Sequence, residues 1–119
     1  MVQRLAGVKL AGRFEKLKFS ALIEPVKQEL IRQQARCVVV CGIEAHVCVL
    51  QTCLDLVEAG YVTAVALDAV GSRKDTDQDA AIERMKQVGV VPTTVESILF
   101  EMLGEASGPT FKALLEVVK

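Results

Sequence analysis

Hydrophobic positions along the chain fall into two patterns, and the first is a set of nearly unbroken apolar runs. These runs occupy residues 37–41, 61–67 and 90–95 and are rich in β-branched side chains. Runs without polar alternation are typical of strands buried on both faces of a parallel sheet. Gly42 should end the first strand, and Pro92, which has no backbone N–H, predicts that the third strand is short or peripheral.

Between these runs, apolar residues recur every three or four positions, which predicts amphipathic helices. Residues 1–20 show little periodicity and are expected to be mostly irregular, with a short strand near residues 16–20. Pro25 suits the first turn of the first helix. Helices are predicted over residues 25–34, 45–59, 75–88, 97–103 and 107–118, with Asp75, Thr76 or Asp77 as N-caps of the third and a polar loop over residues 68–74 before it.

This alternation of strands and helices predicts an α/β fold with a parallel sheet and helices on its faces. The 119 residues contain no internal repeat or linker and suffice for one domain but not for two. In such sheets the reactive groups lie beyond the carboxyl ends of the strands. Residues 42–48, which follow the first strand, are therefore the expected site.

Composition narrows the classes of function. A net charge of −1 provides no overall basic field, so nucleic-acid and membrane partners are not expected. The apolar runs are far shorter than the roughly 18 residues of a membrane span. The first four residues do not begin a signal peptide, so a cytoplasmic protein is predicted, and the basic start keeps a mitochondrial location as a less favoured alternative.

Four cysteines lie within 17 residues, and none forms the Cys-x-x-Cys pair of a zinc or thioredoxin site. Cys37, Cys41 and Cys53 are interpreted as small buried hydrophobic residues. Cys48 differs because it falls in the first turn of a predicted helix, where unpaired N–H groups favour a thiolate. Those groups could also hold the oxyanion that forms when a thiolate attacks a carbonyl. Position alone leaves an inert buried thiol as the alternative.

His46 is the single histidine of the sequence, and an imidazole can act as a metal ligand or a proton shuttle. A metal site needs at least three ligands, and the pair of His46 and Cys48 has no second pair elsewhere in the sequence. Neither a metal nor a cofactor is therefore expected.

Several ordered motifs carry a family resemblance. Residues 42–52 (GIEAHVCVLQT) resemble the nucleophile signature of the isochorismatase-like cysteine hydrolases. Similar family segments are Lys16-x-x-Phe19-Ser20, Asp68 to Arg73, Thr93 to Leu103 and Pro109-x-Phe111-Lys112. The residues of these segments most resemble those of the isochorismatase domain-containing subgroup. The resemblance implies a three-layer α/β/α sandwich with a mainly parallel, Rossmann-like sheet, of which this chain would be the C-terminal portion.

The resemblance also implies roles for individual residues. Cys48 would be the nucleophile, and Lys16 would be the ammonium that stabilises its thiolate, with Lys18 as the competing choice. The family's cis peptide would fall between Ile43 and Glu44. That turn would direct the N–H groups of Ala45 and Cys48 at the oxyanion. In addition, Asp68, Ser72 and Arg73 would lie near the edge of the site, in contact with substrate, as loop caps or in a subunit contact.

One member of the family's catalytic triad, an aspartate in an Asp-x-Gln segment, does not occur in this sequence. Three explanations compete: a partial gene product of a full hydrolase, which is favoured; a short protein completed by a partner or exchanged subunit; or a pseudoenzyme. The function expected is hydrolysis of an amide or related acyl bond of a small metabolite, by a protein that forms a homo-oligomer. The alternative is an inactive family member that serves as an oligomerisation or interaction module.

Overall fold

The computed structural model describes residues 10–118, and over this range helices and strands alternate as the hydrophobic pattern predicts. Residues 17–21 form bends and residues 16–20 contain no strand, so that prediction was wrong. The elements are α1 (Glu24–Arg32), β1 (Cys37–Ile43), a π-helical turn (Ala45–Val49), α2 (Leu50–Glu58), β2 (Val62–Gly71), α3 (Asp75–Gln87), β3 (Val91–Thr93), α4 (Val95–Leu103) and α5 (Gly108–Val118).

The three strands found in residues 10–118 form one parallel sheet in the order β1-β2-β3. Because each connection crosses over through a helix, the carboxyl ends of all three strands meet at the same edge. The prediction of an α/β fold with a parallel sheet is confirmed. As expected, β3 is short and lies at the edge of the sheet. No helix in the described part of the chain is long and apolar enough to cross a bilayer.

The hydrophobic core lies between the sheet and the helices α2 and α3. Its centre includes Cys53 and Met85, both 0% exposed. Burial raises the pKa of the Cys53 thiol to about 11 because the thiolate would lose its hydration. The other buried members of the cluster are Val49, Leu50, Val65, Ala81 and Val90. The core thus anchors the beginning of α2, directly after the expected site.

The opposite face of the sheet is more open than the sequence suggested. The expectation that β1 is buried on both faces was wrong, because its residues alternate between exposed and half-buried. Cys37 and Cys41 are both exposed, whereas Cys53 is buried as predicted. The physical reason is that β1 is an edge strand of the described sheet. In addition, α4 does not pack closely on this face and leaves a groove of about 530 Å³ between them.

Two boundaries near the site also differ from prediction. Gly42 lies within β1 and does not end it, and β2 extends to Gly71 into the expected polar loop. Both differences arise because the strands stay paired beyond an irregularity after Val40, with Gly42 opposite Val70 and Ile43 opposite Gly71. This pairing extends the sheet up to the turn that carries Cys48.

Gly42 and Gly71 form a matched pair for a stability test. Gly42 has a φ of +116°, and a Cβ added there would meet nothing within 4 Å, so only the backbone opposes a side chain. We expect Gly42→Ala to lower the free energy of unfolding by roughly 1–2 kcal/mol. Gly71→Ala, whose Cβ would make an ordinary 4.0 Å contact with Ile43, should change it by less than about 0.5 kcal/mol. Equal losses in urea denaturation would contradict this account.

Candidate active site

Cys48 lies immediately beyond the carboxyl end of β1, half-buried, in the π-helical turn that precedes α2. An α-helical first turn was expected here, and that detail was wrong. The carbonyl oxygen of Glu44 accepts bonds from the N–H groups of Val47 and Val49, both at 3.2 Å. The bond from Val49 spans five residues, which widens the turn relative to an α-helix.

The ammonium group of Lys16 reaches this cysteine from a distant part of the sequence. Its Nζ lies 3.7 Å from Cys48 Sγ and donates to the carbonyl oxygens of Phe19 at 2.8 Å and Lys18 at 3.0 Å. A lysine ammonium has three donors. Two of these donors therefore bind the backbone carbonyl oxygens of Lys18 and Phe19, and the third is directed at the sulfur of Cys48.

Lys18, the competing choice for this role, lies elsewhere. Lys18 lines a separate cavity of about 340 Å³ together with Asp55 and Glu58 of α2. Near Cys48, the bond from Lys16 engages only the backbone carbonyl of Lys18. Of the two candidate lysines, the structure brings Lys16 to the cysteine.

Thr52 connects the two segments that carry Lys16 and Cys48. Its hydroxyl donates to the carbonyl oxygen of Cys48 at 2.7 Å and accepts a bond from the N–H of Ala21 at 2.8 Å. The residue is 8% exposed. The sequence motif contains this threonine, but no local pattern shows that its partner would be an amide 31 residues earlier.

A cavity of about 170 Å³ opens beside the sulfur. Its size suits a small chemical group. Besides Cys48 and Lys16, it is lined by Ala21, Val40, Cys41, Gly42, Ile43, Val49 and Thr52.

The turn between β1 and Cys48 contains the other residues named from the sequence. The peptide bond between Ile43 and Glu44 is cis. Ala45 is fully buried, whereas the Ile43 side chain is 76% exposed. The carboxylate of Glu44 accepts from Arg73, at 2.8 Å from the side-chain Nε and at 3.4 Å from the backbone N–H. This ion pair ties the turn to the segment after β2.

His46 points away from the sulfur's cavity and toward α3. Its Nδ1 lies 2.8 Å from Ser72 Oγ and 3.5 Å from Glu44 Oε2, and its Nε2 lies 3.7 Å from Asp77 Oδ2. Among residues 10–118 no group of three potential ligands could hold a metal ion. His46 thus links the turn to α3, a contact that the sequence did not predict.

Asp68 takes the capping role that the sequence left open. Its Oδ1 accepts from the N–H of Val95 at 3.0 Å, at the first residue of α4. Thr94 completes this cap by accepting from Ser97 N–H. Ser72 and Arg73 contact the turn through His46 and Glu44, so they support its outer side.

These observations define an α/β protein with a candidate cysteine site at the carboxyl end of its sheet. Residues 2–97 match the family model for the isochorismatase domain. The chain belongs to the isochorismatase family. It is 44% identical to a secreted isochorismatase effector of Phytophthora sojae over 89% of this chain and 51% of that protein. Identity is 39% to isochorismatase domain-containing protein 2 of Bos taurus, over 89% of this chain and 52% of that protein.

Solved structures agree with this assignment. The structure of MAR1 ribonuclease from Caenorhabditis elegans superposes with a TM-score of 0.82 at 41% identity, over 88% of this chain and 54% of that one. A pyrazinamidase of Pyrococcus horikoshii in complex with zinc gives a TM-score of 0.63 at 27% identity, over 67% and 45%. The chain spans about half the length of the curated relatives it matches.

Proposed function

We propose that this chain carries the nucleophilic half of a cysteine hydrolase that cleaves an amide or related acyl bond of a small metabolite. The observation that carries the proposal is the 3.7 Å contact between Lys16 Nζ and Cys48 Sγ at the carboxyl end of β1. A positive charge beside a thiol favours the thiolate, which is the attacking species.

The proposed reaction has two stages. The Cys48 thiolate attacks the carbonyl carbon, and the new C–S bond leaves a negative charge on the carbonyl oxygen. The C–N bond then breaks, and the amine leaves with one added proton. Water hydrolyses the resulting thioester, which releases the acid and restores the thiol. Throughout, the Lys16 ammonium would offset negative charge beside the sulfur.

The N–H groups of Ala45 and Cys48 are proposed to hold the oxyanion. Ala45 is fully buried, so its backbone is fixed by packing before substrate arrives. Donors that need no reorganisation stabilise developing charge most effectively. The cavity beside Cys48 would hold the acyl group next to the sulfur.

The size of the site and one structural relative support an amide of a small molecule as substrate. The cavity measures about 170 Å³, and the pyrazinamidase is named for an amide-cleaving activity. Ribonuclease is the name of the nematode protein and is not carried over to this chain. With a net charge of −1, this chain offers no overall attraction for a phosphate backbone.

The leaving amine needs a proton, and this requirement shapes the test. The Asp-x-Gln segment that supplies the family's acid and base is not in the sequence. An activated ester such as p-nitrophenyl acetate has a leaving group that departs without a proton. Acylation by this ester therefore tests the nucleophile separately from the acid.

Lys16→Met should slow alkylation of Cys48 by iodoacetamide at pH 7 about fivefold. The reason is that Lys16→Met removes a positive charge 3.7 Å from the sulfur, and that charge favours the thiolate. Lys18→Met is the matched control, because it removes the same charge two residues away and should leave the rate unchanged. Since no Lys or Arg lies between Arg36 and Arg73, one tryptic peptide contains all four cysteines, and fragmentation mass spectrometry resolves them.

A non-catalytic interaction module is the second candidate, and the open face of the sheet is the observation that favours it. Val39, Val62 and Val91 are 42%, 60% and 50% exposed along the groove beside α4. This candidate predicts that Cys48 reacts like the exposed Cys37 and that Lys16→Met has no effect. Homo-oligomer formation stays a prediction under both candidates.

A further inference from the structure

Residues 16–21, the segment that carries Lys16, are attached to the π-helical turn and α2 by few polar contacts. Within the described residues, two hydrogen bonds join residues 16–21 to the π-helical turn and α2. One is the contact between Lys16 and Cys48 itself, and the other is the bond from Ala21 N–H to the Thr52 hydroxyl. Because Lys16 is exposed, its own contact cannot fix the segment against solvent competition.

The bond to Thr52 has a defined direction. A threonine hydroxyl has one proton, and Thr52 donates it to the carbonyl oxygen of Cys48, four residues earlier in the helical segment. This donation fixes the hydroxyl so that a lone pair faces Ala21 N–H. The same oxygen thus contacts the backbone of the nucleophile and the backbone that follows Lys16.

We propose that Thr52 is a positioning residue whose hydroxyl holds the Lys16 ammonium beside the Cys48 sulfur. The inference rests on the proposed function, in which that ammonium stabilises the thiolate. Thr52 is 8% exposed, so water does not readily replace its hydroxyl. Loss of the hydroxyl leaves Ala21 N–H without its partner and releases the segment that carries Lys16.

The test is a double-mutant cycle read by alkylation of Cys48 with iodoacetamide at pH 7. Thr52→Val keeps the shape of the side chain and should slow Cys48 about as much as Lys16→Met, roughly fivefold. The double variant should be no slower than Lys16→Met alone, because both changes remove the same effect. Thr52→Ser retains the hydroxyl and should restore most of the rate.

A matched control is Thr63→Val, which removes another buried threonine hydroxyl, one bonded to the Tyr61 carbonyl oxygen at 3.1 Å. It should leave the Cys48 rate unchanged. A merely structural role for Thr52 predicts instead that its effect multiplies with that of Lys16→Met, to roughly 25-fold in the double variant. That product would overturn the inference.

The outcomes separate the inference from the function on which it rests. If Lys16→Met slows Cys48 and Thr52→Val does not, the positioning role is wrong and the proposed nucleophile stands. If Lys16→Met has no effect, the proposed function fails first. Hydrogen exchange in the unaltered chain needs no variant: Ala21 N–H should be protected, and exchange at the rate of a free amide would overturn the inference.

Discussion

Replacing Cys48 by serine should lower the rate of p-nitrophenolate release from p-nitrophenyl acetate by about two orders of magnitude or more. The experiment uses a background in which Cys37 and Cys41, both exposed, are already serine. A serine hydroxyl is not ionised at neutral pH, and the contact with Lys16 cannot make it an equivalent nucleophile. Release is followed by absorbance with the protein in excess over the ester.

The buried cysteine provides the control for this experiment. Cys53 is 0% exposed, and its pKa is raised to about 11, so it should not react with the ester near neutral pH. Cys53→Ala in the same background should therefore retain the rate. A rate that survives Cys48→Ser would show that the nucleophile lies elsewhere.

The free energy of unfolding should fall as the pH rises above about 9. Burial raises the pKa of Cys53 from the ordinary 9.0 to about 11. Below pH 9 the thiol is protonated in both the folded and the unfolded chain, so its contribution to stability is fully present. Between pH 9 and 11 the unfolded chain loses this proton first, so stability falls as pH rises. The expected loss is on the order of 2–3 kcal/mol at most, which corresponds to a pKa difference of about two.

Cys53→Ala isolates this effect, because it removes the titrating group and retains every other one. The small cavity that it creates should cost the same at each pH. Urea denaturation of both proteins at pH 8, 9, 10 and 11 should give curves that converge as the pH rises. Parallel curves would mean that Cys53 does not titrate differently in the folded state.

Local patterns in the sequence predicted most of the fold. The β-branched run before Gly42 predicted β1, and the predicted helix over residues 97–103 ends where α4 ends, at Leu103, because both features depend on nearby residues. The features that local patterns did not predict depend on residues that are distant in the sequence. The extension of β2 to Gly71 depends on pairing with β1, and the exposure of Cys37 depends on what covers that face of the sheet.

The site shows the same division between local and distant contacts. The position of Cys48 after a strand predicted a reactive setting, but family resemblance was needed to name Lys16, which lies 32 residues away in the sequence. No pattern predicted the bond between Thr52 and Ala21 or the contact of His46 with Ser72. These contacts depend on how the chain folds back, which periodicity does not encode.

The position of the acyl group after brief treatment with p-nitrophenyl acetate at pH 7 shows whether Cys48 is the activated nucleophile. The tryptic peptide from Cys37 to Arg73 contains every cysteine of the chain, so the exposed Cys37 and Cys41 act as internal references. Fragmentation should place the acetyl group on Cys48, with much less on the other three. Equal acetylation of Cys37, Cys41 and Cys48, or none on Cys48, would show that Cys48 is not an activated nucleophile.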